Sequence, residues 1–260
     1  MARGMAAVTG ASSGIGAVFA RRLAATHDLL LIARRIDRLE ALAAELRRQQ
    51  GALVEILPAD LTDPAQLLSV EQRIAGEGRL ALLVNNAGFG TRGQFWQASI
   101  DTQAQMHQLN VVAVLRLSHA ALRTMVPRQS GALINIGSVA GFMRRAGSAS
   151  YGATKAWVVA FTEALHLEMR RIGSPVKVQA LCPGFTLTEF HDAMNIERER
   201  IAARPYWLQA EHVVEESLKA LPSGRLFVIP GWRYKLIVNL ISTVPLPLRL
   251  AIETRVSRKH

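Results

Sequence analysis

The chain has 260 residues, half of them hydrophobic and a fifth charged, which supplies a sizeable core for one α/β domain and excludes intrinsic disorder. A single cysteine, Cys182, excludes an intramolecular disulfide framework and suits a reducing compartment, the cytoplasm. The formal charge of +11 suits an anionic cofactor or membrane surface, but the arginines are scattered and not interleaved with aromatics on one stripe, so nucleic-acid binding is not expected.

The opening residues MARGMAAVTG are too short to hold a signal peptide before the first glycine turn, and their apolar residues read as a strand, MAAVT at 5–9. TGASSGIG follows at 9–16, between that strand and a helical pattern. Gly10, Gly14 and Gly16 allow a tight turn and close approach to a pyrophosphate, with Ser12 and Ser13 as hydroxyl donors and Ile15 opening the helix. The spacing is G-x-x-x-G-x-G. A purely structural turn is the alternative reading.

The second strand, LLLIA at 29–33, ends before Arg34 and Arg35. An acid there would hold the ribose 2′-hydroxyl of NAD, whereas an arginine accommodates the 2′-phosphate of NADP(H). Arg35 also reads as the exposed start of a helix at 36–50. After the third strand, LVEIL at 53–57, Asp60 is placed to accept from an adenine amine, with Leu61 beside it; a helix cap is its alternative role.

Further strands are LALLVNN (80–86), ALINIG (132–137), VKVQALC (176–182) and LFVIP (226–230), separated by helix-length patterns such as 99–125. Continuous apolar strands with helical crossovers predict a doubly wound Rossmann-type fold: a seven-stranded, mostly parallel sheet in one domain, with helices on both faces. Substrate then sits over the carboxyl ends of the strands. Residues 185–208, with Phe190, Met194, Tyr206 and Trp207 amid charges, are the expected lid; an ordinary surface loop is the alternative.

Tyr151 and Lys155 are four residues apart, so on a helix they share a face and the ammonium lies beside the phenol. A neighbouring cation is expected to lower the phenol pKa and make it a proton donor and acceptor near neutral pH, with the Ser138 hydroxyl in support. Alone, Y-x-x-x-K is a half-buried ring beside a solvated ammonium more often than an acid/base pair. His107, His119, His166, His191 and His212 show no metal-ligand spacing, and no metal site is expected.

TGASSGIG, DL at 60–61, NNAG at 85–88, Asn110, Ser138, YGATK at 151–155 and PG at 183–184 occur in one order and spacing. In these the chain resembles the short-chain dehydrogenase/reductase superfamily from about Met5 to Pro230. The resemblance implies catalysis by Ser138, Tyr151 and Lys155, with Asn110 in a water-linked proton relay. It places Asn86, Ala87 and Gly88, the PGFTLT residues Pro183, Gly184 and Phe185, and Thr188 beside the cofactor. Ala33-Arg34 matches the family's NADP-preferring pattern. It also implies a homodimer or homotetramer formed through helices near 102–125 and 151–171.

The implied reaction is NADP(H)-dependent hydride transfer between the nicotinamide and a carbonyl/alcohol pair, with an apolar small-molecule substrate. A non-catalytic NADP-binding sensor or interaction protein on the same fold is the alternative. Phe89, Phe95, Trp96 and the segment 142–145, which includes Arg144 and Arg145, are expected to border the pocket. Residues 231–260 form a basic, apolar tail. Leu236, Ile237, Leu240, Ile241 and Val244 mark one helical face, and Pro245 and Pro247 cut it too short to span a bilayer. The tail packs on the domain or a subunit, or lies peripherally on an anionic membrane.

Overall fold

The structure, a computed structural model, describes residues 3–192, 204–245 and 247–251. Its strands are β1 (Met5–Thr9), β2 (Asp28–Ala33), β3 (Val54–Pro58), β4 (Leu80–Asn85), β5 (Ala132–Ile136), β6 (Lys177–Leu181), and the two-residue strands β7 (Thr186–Leu187), β8 (Leu208–Gln209) and β9 (Phe227–Val228). Every residue of β1, β2 and β5 is buried, as the unbroken apolar runs require of strands covered on both faces. Seven strands pair in the order β3-β2-β1-β4-β5-β6-β9, and each described pairing is parallel.

The crossovers are α1 (Gly14–Leu23), α2 (Ile36–Gln50), α3 (Pro64–Ala75), α4 (Ile100–His107), α5 (Val114–Arg128), α6 (Ala149–Arg171), the short α7 (Glu189–Asp192), α8 (Ala210–Ala220) and α9 (Trp232–Thr243). Helices α1, α2 and α8 bury their apolar stripes on one face of the sheet. Helices α3 and α5, with Met169 of α6, cover the other. Local chemistry sets the ends: the Asp63 carboxylate accepts from the Ala65 and Gln66 amides ahead of Pro64, and Gly51, at φ +60°, stops α2.

The helix expected over 99–125 is interrupted. Residues Gln108–Ala113 form a π-turn between α4 and α5, and it carries Asn110 inward to 1% exposure. The run Ile100–Arg128 is long and apolar enough to cross a bilayer, yet Met106, Leu117, Ala121 and Met125 are buried in the core. The 185–208 segment is ordered at both described ends, where β7 pairs in parallel with β8. Residues 193–203, including Met194, lie outside the described residues.

The tail helix α9 buries Tyr234 and Val238, while Leu236 and Leu240 are about 60% exposed (60% and 62%). Its inner face is thus turned away from the one drawn from the sequence around Leu236 and Leu240, because Tyr234 finds polar partners inside (below).

A polar chain crosses the apolar interior. Asn85 Nδ2 donates to Ser118 Oγ (3.0 Å) and Asn135 Oδ1 (2.9 Å), and Asn135 Nδ2 donates to Thr162 Oγ1 (3.0 Å). All four residues are buried, so the chain ties β4 and β5 to both α5 and α6, which cover the same face of the sheet. Asn135→Ala strands partners on both neighbours and should cost about 2 to 4 kcal/mol in urea unfolding. Ser118→Ala, at the end of the chain, should cost clearly less.

Candidate active site

After β1 the chain turns to α1 on one face of the sheet, and after β4 it turns to α4 and α5 on the other, which opens a crevice between adjacent strand ends. Thr9 closes its floor. Its hydroxyl accepts from the Asn86 and Ala87 amides (2.9 and 3.0 Å) and lies 3.4 Å from the Val84 carbonyl. Asn86 Nδ2 returns bonds to the Thr9 and Gly10 carbonyls at 3.0 and 3.2 Å.

The glycine turn fits a closely approaching anion. Gly10 and Gly14 have φ of +65° and +53°, and a Cβ on Gly16 would lie 2.3 Å from the Gly10 carbonyl oxygen. Ser13 precedes α1 without capping it by its side chain, so that helix end presents its first amides. Ile15 leans on the core. Thr188 lies against Gly14, with its side chain 3.1 Å from where a Cβ there would sit.

At the end of β2 the two arginines divide. Arg35, which the sequence left open as a solvated helix start, points into the turn: Nε and Nη2 donate to Ser12 Oγ (3.2 and 3.0 Å), and Nη2 donates to Ser13 Oγ (2.7 Å). Arg34 stays largely exposed, 3.6 Å from Asp60 Oδ2. Burial would raise the Asp60 carboxyl, but bonds from the Thr62 amide and hydroxyl, with Arg34 beside it, hold it below the usual range. Leu61 is buried beneath it.

Ser138 follows β5, and α6 brings up Tyr151 and Lys155 one turn apart. Burial drives the Tyr151 phenol up to about 12, against a hydrogen bond with Ser138 that pulls it down. The expected lowering by the ammonium is not found. Lys155 Nζ lies 6.0 Å from the Tyr151 ring centre and donates to the Ile136 carbonyl at 2.8 Å. Desolvation lowers Lys155 itself from 10.5 to about 8, so it is a weakened cation. Asn110 bonds Phe89 through both amide atoms, Oδ1 accepting at 3.2 Å and Nδ2 donating at 2.9 Å, and reaches Thr154 Oγ1 at 3.2 Å. Gly88 passes between: a Cβ there would lie 2.8 Å from Asn110 Oδ1 and 3.7 Å from Lys155 Nζ.

Phe190 packs on Tyr151, with ring centres 6.0 Å apart. Gly90 lies beneath both rings, and its missing side chain lets them meet. The Tyr234 ring covers Gly184 so closely that a Cβ would fall 2.0 Å from a ring carbon, and its hydroxyl accepts from the Phe185 amide (3.0 Å) and donates to the Tyr206 carbonyl (2.6 Å). Pro183 accepts from the Val139 amide, joining this segment to the serine loop.

Some expected pocket residues are elsewhere. Phe142 packs edge-on against Phe227 at the sheet margin, because the turn at 139–141 carries it past the pocket. Phe95 and Trp96 are exposed, the indole bonding Gln94. Arg144 is taken up by the Gly141 and Met143 carbonyls. Thr9, Gly90 and Tyr234 were missed. Gly90 had a signal in the repeated glycine of NNAGFG; Thr9 and Tyr234 act through distant backbone and had none.

Residues 4–199 match the family model described as short chain dehydrogenase. Oxidoreductase UcpA of Escherichia coli K12 is 34% identical over 223 residues, which cover 85% of this chain and 81% of that protein. The short-chain dehydrogenase from Sphingobium yanoikuyae in complex with NADPH superposes with a TM-score of 0.83 at 37% identity, covering 94% of this chain and 97% of the other. The bulky-bulky ketone specific alcohol dehydrogenase from Comamonas testosteroni gives 0.80 at 30% identity, covering 95% and 96%. The chain belongs to the short-chain dehydrogenase/reductase family of oxidoreductases.

The buried Lys155 has a signature that needs no cofactor. Below about pH 8 both folded and unfolded chains hold its proton; between about 8 and 10.5 only the unfolded chain does, so its penalty on the fold fades as pH rises. Lys155→Met should therefore gain relative to wild type at pH 7, and that advantage should shrink by about 3 kcal/mol by pH 10.5 in denaturant unfolding. A constant difference across that range would mean the ammonium is hydrated.

Proposed function

We propose that the protein is an NADP(H)-dependent reductase of apolar ketones or aldehydes, working reversibly on the carbonyl/alcohol pair. The observation that carries the reading is the gathering of Ser138, Tyr151 and the buried Lys155 at the carboxyl end of β5, where Lys155 Nζ donates to the Ile136 carbonyl, across from the glycine turn. Bound NADP(H) supplies or accepts the hydride at its nicotinamide ring. Thr188, Pro183 and Gly184 would border the nicotinamide, and the turn of Gly10, Gly14 and Gly16 would hold the pyrophosphate.

In reduction, the Tyr151 phenol gives its proton to the carbonyl oxygen while the Ser138 hydroxyl hydrogen-bonds the same oxygen. A phenol at about 12 holds that proton securely at neutral pH. Desolvation makes the Lys155 ammonium hold its proton less firmly than a solvated lysine does, so a charged group that can give up a proton stands near the phenol. In this reading Lys155 also holds the nicotinamide ribose. Asn110, buried and fixed by Phe89 and Thr154, is the positioning residue that links Lys155 through water to solvent.

Arg34 and Arg35 support NADP(H) over NAD(H), since two guanidinium groups at this strand end match a 2′-phosphate. The complex of the Sphingobium enzyme with NADPH supports the same choice. Phe190 packed on Tyr151 supports an apolar substrate, as does the ketone named for the Comamonas enzyme. The reading includes a cytoplasmic homo-oligomer paired through α4, α5 and α6, whose outer faces expose Leu115 and Leu167.

Tyr151→Phe should lower carbonyl-dependent NADPH oxidation by about a hundredfold or more while NADPH still binds. Retention of wild-type turnover would exclude Tyr151 as the proton donor. Arg34→Ala should weaken NADPH about tenfold or more with little change for NADH, read by fluorescence titration. Equal weakening of both cofactors would place the 2′-phosphate elsewhere.

A further inference from the structure

Glu189 opens the short α7, one residue after Thr188 and one before Phe190. Its two carboxylate oxygens go to two different arginines. Oε2 accepts from Arg35 Nη1 at 2.9 Å and Oε1 accepts from Arg38 Nη1 at 2.5 Å. Arg35 uses its remaining edge on Ser12 and Ser13, so a single guanidinium joins the glycine turn to this carboxylate. The hydrogen bonds from Arg38 and then Arg35 keep the Glu189 carboxyl below its usual range, and therefore ionised at neutral pH.

A carboxylate held by two guanidinium groups presents what they would otherwise recognise in a phosphomonoester: anionic oxygens in the plane of the N–H forks. Arg38 was not among the residues singled out from the sequence, and its place is set by α2, one turn beyond Arg34 and Arg35. Arg34 stands apart from this cluster, on Asp60. The cluster thus has one internal anion set against the arginine that reaches into the turn.

We propose that Glu189 is an intramolecular competitor for the cofactor's 2′-phosphate: NADP(H) displaces it from Arg35 and Arg38, and its carboxylate sets how strongly the enzyme prefers a 2′-phosphate to a 2′-hydroxyl. This rests on the NADP(H) reading given above. The dianionic phosphomonoester outcompetes a single carboxylate for the two cations, whereas NAD(H) carries no group that does so. The exchange is also felt by the catalytic side, because the same short segment places Thr188 against Gly14 and Phe190 against Tyr151. Glu189 is therefore a specificity-determining residue acting through the arginines.

The test is equilibrium binding of four probes, NADPH, NADH, adenosine 2′,5′-bisphosphate and 5′-AMP, to full-length wild type, Glu189→Gln and Glu189→Ala at fixed ionic strength. Both variants should bind NADPH and the 2′,5′-bisphosphate about three- to tenfold more tightly, the scale of a half-exposed ion pair removed from competition. NADH and 5′-AMP should change by less than about twofold. Unchanged or weaker NADPH binding in the variants, with a wild type that prefers NADPH, overturns the competitor role and leaves the NADP(H) reading standing. Equal tightening of all four probes also overturns it, since that reports a general gain of positive potential. A wild type that binds NADPH no better than NADH overturns the cofactor reading and this proposal with it.

Discussion

The Thr9 hydroxyl fastens the end of β1 to the turn after β4, and the candidate site is built on that fastening. Two neighbouring parallel strands whose connections leave toward opposite faces must part at their ends, and nothing in the sheet's own ladder bridges the gap. Thr9 and Asn86 bridge it with reciprocal bonds between side chains and backbone. The glycine turn and the NNAG turn are thereby held as one floor, with Gly10 pressed against Asn86 and Ala87. The proposed nucleotide contacts and proton-transfer residues would then share a fixed origin, which hydride chemistry needs, since small misplacements of reacting atoms are costly.

Burial decides the electrostatics above that floor. A tyrosine beside a lysine suggests a softened phenol, yet the protein desolvates both groups and each moves toward its neutral form: Tyr151 upward and Lys155 downward. The pair is therefore better described as two buried acids of different strength than as a phenolate awaiting a cation. The Ser138 bond is the opposing influence on Tyr151. The arginines at the other end of the crevice are partly exposed, Arg34 beside Asp60 and Arg35 paired with Glu189.

Strands were legible because double-sided burial leaves continuous apolar runs, as in DLLLIA and ALINI, and the glycine turn because only glycine tolerates Gly10 and Gly14 as they lie. The relative positions of Ser138, Tyr151 and Lys155 followed once a strand end and a helix were assigned. Arg34 and Arg35 show where such reading stops: adjacent residues leave a strand on opposite sides, and which one turns inward depends on the start of α2. Asn110 required a π-turn that no side-chain periodicity announces, since its neighbours continue an apolar helix pattern. Phe142 and Trp96 misled because aromatic residues near a site in sequence need not face it. Glu189, Gly90 and Tyr234 matter through partners 28 to 154 positions away.

The Tyr234-Gly184 contact gives the chain a direction in time. Residues 5–136 contain the crevice, its threonine fastening and five of the seven strands of the sheet, all available early as a chain emerges from its amino end. The Phe185 amide waits for a hydroxyl made forty-nine residues later. During synthesis, the crevice and its fastening can therefore assemble before the Gly184–Phe185 segment has Tyr234 to rest on. The Tyr234 hydroxyl that holds this segment is thus contributed by α9, far along the chain from the strands that form the crevice.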